Sequence, residues 1–490
     1  MNKKIFTSTL LTFSFYFMIS QNQLGQDLNG EVDFDEIGNT TTISYDGNII
    51  ALGSANHDGI GNNYGHVKIY EKNGMNWQLL GTTIDGLHNN NHLGHRVFLS
   101  ANGNRIAITN RENLIAPNTL SGKSEVVVYE FDGMDWIQIG QEIVGQSAND
   151  LFGNAISLSS DGNRIAIGAD KRSTGATGVP YVHVYEYSSG TWTQIGQDLT
   201  GSENSAYGGS VSLSSNGNIL CIGSPSANKA NVYQFSSNNW IPLGQELNGE
   251  SSNDFFGTQV SISDSGTRLA IGAHGNDGNG NFSGHVRIFD FINNSWVQIG
   301  SDIDGEAIQD ISGTSVSLSN SGNVVAIGAY RNDGNGNNAG HVRIFEYNNT
   351  DWLQVGNDID GANADDESGF SISLSGNGNR VIIGAPKNDA QALNSGQAKV
   401  FDLSSLLSIN NVSLEGDILV YPNPCKDKTF IYGKSINNKL KIDIINLNGK
   451  IVKKTELIEN TIDMSDLQSG YYYLKIRSAE GSVIKPIIKQ

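Results

Sequence analysis

The 490-residue chain has little proline and almost no cysteine, and each shortage excludes a class of protein. Eight prolines beside 58 glycines fit many short strands and turns, and they exclude a collagen-like or disordered chain. Of the two cysteines, Cys221 replaces a small apolar residue of a repeated strand and Cys425 lies near the C-terminus. We expect no disulfide between them, so packing alone must stabilise the fold.

Basic residues are also scarce, at 31 against 50 acidic residues, and they are unevenly placed. Residues 418–490 carry 12 Lys and Arg against 7 Asp and Glu, whereas residues 21–417 carry 17 against 43. Because an acidic surface repels phosphate groups, we expect no nucleic-acid partner. The acidic side chains either keep an exported protein soluble or bind cations or a basic partner.

Long apolar runs are confined to the N-terminus. Residues 1–20 place Lys3 and Lys4 before a run rich in Leu, Phe and Ile, which is the pattern of a secretory signal peptide. No later segment has the roughly 20 apolar residues of a membrane-spanning helix. We therefore expect an exported protein without a transmembrane helix.

What the chain has in abundance is a repeat. Residues 256–305 contain four short runs rich in β-branched residues, bounded by Gly, Asn, Asp and Ser, as expected for four strands joined by tight turns. A very similar stretch follows 56 residues later. A period of about 40–60 residues with four strands in each copy is typical of a propeller blade.

Two motifs count the copies. A Ser-x-x-Gly turn occurs seven times, beginning at Ser44, Ser100, Ser159, Ser214, Ser263, Ser319 and Ser375. A fourth-strand motif also occurs seven times, beginning at Gly25, Gly81, Gly140, Gly196, Gly244, Gly300 and Gly356. Its first copy precedes the first full repeat, so we expect it to complete the last blade. The sequence predicts an all-β chain with a seven-bladed β-propeller over residues 21–407, closed by an N-terminal strand.

All six tryptophans open the fourth strand of a repeat, at Trp77, Trp136, Trp192, Trp240, Trp296 and Trp352. Packing between neighbouring blades is the first interpretation. A ring of tryptophans along a sugar-binding surface is the second.

The inner strands carry a known pair of motifs. Phe152-Gly153 and Phe256-Gly257 supply a Phe-Gly pair, and Gly384-Ala385-Pro386 supplies Gly-Ala-Pro. These repeats resemble the FG-GAP repeats of integrin α-subunit propellers over roughly residues 23–402, which implies a fold more than a function. Calcium-binding members carry an Asp-x-Asp-x-Asp-Gly loop, whereas residues 159–163 here offer too few carboxylates. The family's metal sites do not carry over.

A different loop, between the second and third strands, alternates oxygen ligands. It contains Asp277, Asn279 and Asn281 in the fifth repeat and Asp333, Asn335 and Asn337 in the sixth. This spacing resembles the start of an EF-hand-like calcium loop, but no bidentate Glu follows at the required distance. Asn-Gly and Asp-Gly are also favoured in hairpin turns. Turn formation and calcium binding both stay open, and we expect no other cofactor.

Few residues suggest catalysis. His66, His285 and His341 occupy the same Gly-His-Val position of three repeats, which favours a structural role, and no Cys/His cluster has zinc-site spacing. Carboxylate pairs for glycoside hydrolysis stay open because their separation depends on the fold. The second repeat is the most divergent and the best place for a specific site, with Asn110, Arg111, Glu112, Asn113, His88, His92 and His95.

The C-terminal segment follows a predicted linker over residues 408–417. From residue 418, alternating apolar strands predict a small Ig-like β-sandwich. The motif residues are Tyr421, Pro422, Asn423, Pro424, Gly449 and Gly470. This segment resembles the type A C-terminal sorting domain of the type IX (Por) secretion system of Bacteroidetes. The resemblance implies the secretion machinery as partner and a location outside the cell or on the outer-membrane surface of a Gram-negative bacterium.

Together these features predict an exported, non-catalytic binding or adhesion protein. We expect a monomer that presents the loops of one propeller face to a surface glycan or protein. The alternatives are a secreted enzyme acting on polysaccharide, with its site at the propeller face, and a structural matrix protein.

Overall fold

The structure is a computed structural model that describes residues 21–59, 61–111, 123–171, 178–407, 419–421, 423–432, 440–446, 450–456, 460–478 and 481–490. The predicted signal peptide and linker lie outside these residues. The chain divides into two compact units, with the boundary between Ser404 and Ser405. Strands dominate both units; the described helices are one 3-10 turn at Pro225–Ala227 and α1 at Ser404–Leu407.

The first unit begins with β1 (Asn22–Gln23) and β2 (Leu28–Asn29), and continues as seven antiparallel sheets. Sheet one has β3 (Thr40–Ile43), β4 (Ile49–Ser54), β5 (His66–Asn73), β6 (Asn76–Leu79) and β7 (Ile84–Asp85). Sheet two has β8 (Val97–Leu99), β9 (Arg105–Asn110), β10 (Glu125–Phe131), β11 (Trp136–Gln138) and β12 (Ile143–Val144). Sheet three has β13 (Phe152–Leu158), β14 (Arg164–Ala169), β15 (Tyr181–Ser188), β16 (Thr191–Gln194) and β17 (Leu199–Thr200).

The remaining sheets have the same composition. Sheet four has β18 (Ser210–Leu213), β19 (Ile219–Ser224), β20 (Lys229–Ser236), β21 (Asn239–Pro242) and β22 (Leu247–Asn248). Sheet five has β23 (Val260–Ile262), β24 (Arg268–Ala273), β25 (His285–Ile292), β26 (Ser295–Gln298) and β27 (Ile303–Asp304). Sheet six has β28 (Ser315–Leu318), β29 (Val324–Ala329), β30 (His341–Tyr347), β31 (Trp352–Gln354) and β32 (Ile359–Asp360). Sheet seven has β33 (Ser371–Leu374), β34 (Arg380–Ala385) and β35 (Gln397–Asp402).

The N-terminal strands complete sheet seven. In the other sheets the third strand pairs with the long fourth strand and with a short fifth strand. In sheet seven, β1 and β2 take these two places, with Gln23 opposite Phe401 and Leu28 opposite Ala398. The predicted closure by an N-terminal strand is therefore confirmed, and it leaves no unpaired edge on β35.

A ring of backbone hydrogen bonds joins the sheets. The residue after each Ser of the Ser-x-x-Gly turn donates its N–H to the equivalent carbonyl of the next sheet, in the order Tyr45, Ala101, Ser160, Ser215, Asp264, Asn320 and Gly376. Asn377 then donates to Tyr45 over 3.0 Å. The innermost strands contact one another in the same cyclic order, and β33 contacts β3. This closed order is that of a propeller-like fold.

Glycine pairs set the distance between neighbouring sheets. A Cβ atom on Gly272 would lie 2.0 Å from the carbonyl oxygen of Gly313 in the next sheet, which only a glycine allows. The same close approach occurs between Gly53 and Gly94, Gly168 and Gly208, Gly223 and Gly257, Gly328 and Gly369, and Gly384 and Gly38. Gly257 of an FG motif and Gly384 of the GAP motif are among them, so these two motifs reflect backbone packing between sheets.

The six tryptophans also join neighbouring sheets. Each indole Nε1 donates to a backbone carbonyl of the preceding fourth strand, at Leu24, Leu80, Ile139, Ile195, Leu243 and Ile299. All six side chains are buried. The packing interpretation is therefore confirmed, and the alternative of a tryptophan-lined sugar surface is wrong because the rings are not exposed.

The second unit consists of two sheets. The first has β36 (Leu419–Tyr421), β37 (Lys428–Tyr432) and β40 (Thr461–Asp463). The second has β39 (Ile451–Glu456), β38 (Lys441–Asn446), β41 (Gly470–Ser478) and β42 (Gly481–Lys489), in that spatial order. Their shared core is apolar and includes Ile442, Ile462 and Ile476.

The cysteines lie in different units. Cys221 is buried in the first unit and Cys425 in the second, and both are free, as predicted. Burial raises the pKa of both thiols. Within the described part of the chain, no helix is long and apolar enough to cross a membrane.

Candidate functional site

One end of the seven sheets carries the least regular loops. The loops between second and third strands and the connections to the next sheet lie at the same end of the strands, opposite the Ser-x-x-Gly turns. Parallel bridges between them, such as Gly65 with Leu93 and Gly284 with Ser312, show that the two kinds of segment touch. We call this end the loop face.

The six residues predicted as calcium ligands are exposed on the loop face. The Asp277 carboxylate accepts a hydrogen bond from the N–H of Phe282, and Asp333 accepts one from Asn338, both over 2.8 Å. The side-chain amide of Asn279 donates to the Gly305 carbonyl over 2.9 Å. These contacts close the turn that the sequence also allowed.

The remaining predicted ligands hold the next connection. The amide of Asn335 donates to Gly361 over 2.8 Å, and that of Asn337 donates to the Asp365 carboxylate over 2.9 Å. The backbone carbonyl of Asn281 accepts the N–H of Gln309 over 2.9 Å. Structural bonds thus account for this loop geometry, and calcium binding there stays a prediction.

Two histidines of the Gly-His-Val motif lie beside carboxylates. His285 opens β25, and its Nδ1 lies 3.7 Å from Asp302 and 3.9 Å from Asp304. Glu250, from the preceding connection, completes a group in which one ligand atom from each of Glu250, His285 and Asp302 lies within 4.8 Å of the others. Arg287 forms an ion pair of 3.2 Å with Glu250.

The same group recurs in sheet six. His341 lies 3.9 Å from both Glu306 and Asp358, and Arg343 lies 3.6 Å from Glu306. Burial lowers the pKa of both His285 and His341, which favours the neutral imidazole.

The third Gly-His-Val histidine has different neighbours. Thr83 occupies in sheet one the place of Asp302, and the His66 ring lies 4.0 Å from that of His57. Burial lowers the pKa of His66 to about 3.

Sequence reasoning missed these carboxylates because they lie 35 residues before and 17 residues after each histidine. The sequence held one signal for them: in both sheet five and sheet six, the histidine has a Glu 35 residues before it and an Asp 17 residues after it.

Residues of the divergent second repeat lie at one end of the cavity that the inner strands of the seven sheets enclose. Arg96 donates through Nε to the Asn154 carbonyl over 3.1 Å, and the Asn154 amide donates to the buried Asp170 carboxylate over 3.0 Å. Burial lowers the pKa of Arg111, and the nearby Asp170 opposes that shift. Burial also holds the pKa of His95 well below its usual value.

The other residues predicted for this site are less informative. His92 is half-buried, and burial lowers its pKa, whereas His88 lies against Asn91 at 3.4 Å. Asn110 accepts a hydrogen bond of 2.7 Å from Asn91. Glu112 and Asn113 lie outside the described residues.

An axial channel of about 440 Å³ runs between the inner strands of all seven sheets. Its lining is rich in hydroxyl side chains, including Thr42, Ser212, Ser261 and Ser317. Several hydroxyls already accept a backbone N–H of the next inner strand, as Ser261 does from Leu318 over 2.9 Å. The lining also includes Arg96 and Asn154, so the channel and the divergent second repeat form one polar surface.

Four motif residues of the C-terminal unit are described, and none of them is buried. Tyr421 ends β36 and is exposed, and the Asn423 side chain accepts the N–H of Ile488 over 2.9 Å. Gly470 opens β41 opposite Lys489, and Pro424 is exposed. Pro422 and Gly449 lie outside the described residues.

Two families match parts of the chain. The profile of the FG-GAP repeat matches residues 248–289 and 359–401, and the profile of the secretion system C-terminal sorting domain matches residues 419–490. Comparison with curated protein sequences found no match.

Similar solved structures show low identity. A putative 6-phosphogluconolactonase from Bacteroides uniformis is 12% identical, with a TM-score of 0.47, over 66% of this chain and 85% of its own. The periplasmic gluconolactonase of Pseudomonas aeruginosa is 14% identical, with a TM-score of 0.46, over 65% and 84%. Hydrazine synthase of Kuenenia stuttgartiensis is 13% identical, with a TM-score of 0.47, over 72% and 93%. These likenesses are too weak to support any argument about activity.

The matched families agree with the two units that the structure separates. The FG-GAP matches lie within the first unit, and the sorting-domain match covers the strands of the second. The chain thus carries FG-GAP repeats and a type IX C-terminal sorting domain, and it is a protein that Bacteroidetes export through the type IX system to the cell surface or the surroundings.

Proposed function

We propose that this exported protein is a non-catalytic binding protein, built as a seven-bladed propeller followed by an Ig-like sorting domain. Its ligand surface is the part of the loop face formed by His95, Arg96, Arg111, Asn154, Asp170 and Lys171, which we call the sheet two–three surface. Within the described residues, the repeated turn of the loop face is missing from sheets two, three and four. A short 3-10 turn replaces it in sheet four, and the observation that carries the proposal is that charged residues follow the second strands of sheets two and three.

In the sheets that keep the repeated turn, the loops of the loop face form hydrogen bonds with neighbouring segments of the fold. In sheets one, five, six and seven, an aspartate closes the loop on a backbone N–H five residues later, as Asp58 does with Asn63 and Asp389 with Asn394. The carbonyls of these loops then accept N–H groups of the next connection. Their polar groups are therefore occupied within the fold.

Sheets two and three have different chemistry at this position. Arg111 follows β9, and Asp170 and Lys171 follow β14, next to the channel mouth at Arg96. Arg96 is linked to Asp170 through Asn154, Arg111 lies near Asp170, and Lys171 follows it in the chain with its ammonium over the Tyr181 ring. Three cations are thus grouped in a unit that is otherwise strongly acidic. Guanidinium groups bind carboxylates and sulfates in a planar, bidentate way. We infer an anionic surface glycan as the ligand class.

Binding of the purified protein to immobilised carboxylated, sulfated and neutral polysaccharides tests this proposal. We expect binding to the anionic glycans, weakening with salt, and a loss of about tenfold or more in the Lys171→Ala and Arg111→Ala variants. Arg331→Ala is the matched control, because Arg331 occupies in sheet six the register of Lys171. Equal loss in all three variants, or no binding, would contradict the assignment. Release of reducing ends would instead support the alternative of a polysaccharide-acting enzyme.

A further inference from the structure

We propose that the loop face contains two sites for a divalent transition-metal ion of the Zn²⁺ class. One site is formed by Glu250, His285 and Asp302, and the other by Glu306, His341 and Asp358. This inference is independent of the glycan surface, because it concerns sheets five and six and their preceding connections.

The distances fit ligands of one ion better than hydrogen bonds. Nδ1 of His285 lies 3.7 Å from Asp302, and Nδ1 of His341 lies 3.9 Å from Asp358, both beyond hydrogen-bond range. Two ligands at 2.0–2.1 Å from a tetrahedral Zn²⁺ lie roughly 3.3–3.4 Å apart. The His–Asp pairs therefore need to close by only about half an ångström, and the glutamates, which are exposed, can rotate their side chains to reach the same ion.

The His285 ring is poorly satisfied by the protein alone. His285 is 1% exposed, and its Nε2 has no hydrogen-bond partner. Because Nε2 makes no bond to the protein, an interaction at Nδ1 is what would hold this ring in place. With the proton on Nε2, the Nδ1 lone pair points toward the carboxylates and can bind a metal ion.

The charged groups around each histidine carry a net negative charge, which favours a divalent cation. Around His285, the carboxylates of Glu250, Asp302 and Asp304 outnumber the guanidinium groups of Arg287 and Arg343. With a neutral imidazole the group keeps a net negative charge, which attracts a divalent cation. Glu250 is exposed and Asp302 is half-buried, so an ion can enter from solvent.

The donor set selects the class of metal. One imidazole nitrogen and two carboxylate oxygens suit Zn²⁺ and its neighbours, whereas Ca²⁺ and Mg²⁺ prefer sites made of oxygen alone. Three protein ligands leave a fourth position for water.

The sites also link neighbouring sheets. Glu250 belongs to the connection that leaves sheet four, whereas His285 and Asp302 belong to sheet five. Glu306 links sheet five to His341 and Asp358 of sheet six in the same way. A bound ion would therefore crosslink adjacent sheets and raise the thermal stability of the first unit.

The chain supplies its own conservative replacements. Gln397 occupies in sheet seven the register that His285 has in sheet five, so glutamine is compatible with this position. His66 has that register in sheet one, but Thr83 stands there in place of the second carboxylate. His285→Gln and His341→Gln therefore remove a ligand with little risk to the fold, and His66→Gln is a matched control.

Titration of the EDTA-treated, dialysed full-length protein with Zn²⁺ by calorimetry tests the inference. We expect the native protein and His66→Gln to bind Zn²⁺ at two sites, and each single variant of His285 or His341 to bind it at one. The double variant should lack both sites and bind Zn²⁺ at least tenfold more weakly than the native protein. Excess Ca²⁺ should not displace Zn²⁺. A double variant that binds two Zn²⁺ as tightly as the native protein would overturn the proposal, as would an equal loss in His66→Gln.

A thermal melt separates loss of the sites from loss of the fold. Without Zn²⁺ the double variant should melt close to the native protein, and with Zn²⁺ only the native protein should melt higher. If Zn²⁺ shifts neither melt although calorimetry counts two sites, the crosslink between sheets is wrong. Binding to anionic glycans should be unchanged in the double variant, so this result is separable from the proposed function.

Discussion

Trp296 donates its indole Nε1–H to the backbone carbonyl of Leu243 over 2.8 Å and so joins sheet five to sheet four. A Cβ atom on the adjacent Gly244 would lie 2.7 Å from this indole ring, so the glycine makes room for it. The same arrangement recurs at six of the seven junctions between sheets. At the junction of sheets six and seven, Gln21 occupies the strand position that tryptophan has in the other sheets. The Gln21 side-chain amide donates to the Asn357 carbonyl.

Replacement of Trp296 should destabilise this junction in proportion to what is removed. Trp296→Phe loses the bond and leaves the Leu243 carbonyl without its donor, which costs about 1–2 kcal/mol. Trp296→Ala also creates a cavity and costs about 3–5 kcal/mol. Urea unfolding followed by fluorescence measures both, and Met134→Ala, at an exposed side chain, is the control. Equal midpoints for Trp296→Phe and the native protein would show that the bond contributes nothing.

The repeat made much of this fold predictable. Seven copies of the Ser-x-x-Gly turn gave the number of sheets, and the unpaired first copy of the fourth-strand motif gave the closure by β1 and β2. Equal spacing of the tryptophans pointed to one shared structural role. These properties follow from local sequence, because the strands of each repeat pair mostly with one another.

The candidate sites were less predictable because they join residues of different repeats. His285 meets Glu250 and Asp302 only after two sheets pack together, and no single motif contains all three residues. Likewise, the Asn154 side chain reaches Asp170 and the Arg96 region only at the mouth of the channel. Such contacts depend on the angle between neighbouring sheets, which sequence periodicity does not specify.

Glycine pairs between sheets should tolerate no side chain. Gly272→Ala places a Cβ atom 2.0 Å from the Gly313 carbonyl oxygen, so the two sheets must move apart. We expect a loss of about 3 kcal/mol or more, or a failure to fold, since backbone cannot give way as a side chain can. Gly59→Ala is the control, because only the His57 ring lies near that position. Thermal melts of both variants compare them, and equal melting temperatures would contradict the close packing.

The His57–Asp35 pair should make stability depend on pH. The hydrogen bond that His57 Nδ1–H donates to Asp35 Oδ1 over 2.7 Å raises the pKa of His57 in the folded protein. Burial raises the pKa of Asp35, but bonds from His57, Val32 and Glu31 outweigh it and hold this pKa below its usual value. Stabilisation by the charged pair is therefore complete below the unfolded histidine pKa of about 6.5 and is lost as pH rises through the folded pKa.

Asp35→Asn tests this pH dependence, because an asparagine oxygen can still accept the N–H groups of Glu31 and Val32. The variant should melt lower than the native protein at about pH 6, and the difference should shrink as pH rises past the folded pKa of His57. His57 should titrate above about 6.5 by NMR in the native protein and nearer that value in the variant. A difference that grows with rising pH would contradict the sign of the shift.

The Asp277 and Asp333 turns decide whether the alternating Asp and Asn residues are structural or bind calcium. Asp333→Ala removes the acceptor for the Asn338 N–H and should cost about 0.5–2 kcal/mol, as loss of a comparable capping side chain does. Because that bond needs no ion, we expect the same cost in EDTA and in calcium. Asp389→Ala is a matched control, since Asp389 closes the same turn in sheet seven, where Gln391 and Leu393 stand in place of the two asparagines. A calcium-dependent rise in melting temperature, lost in Asp277→Ala and Asp333→Ala but kept in Asp389→Ala, would instead assign calcium to these loops.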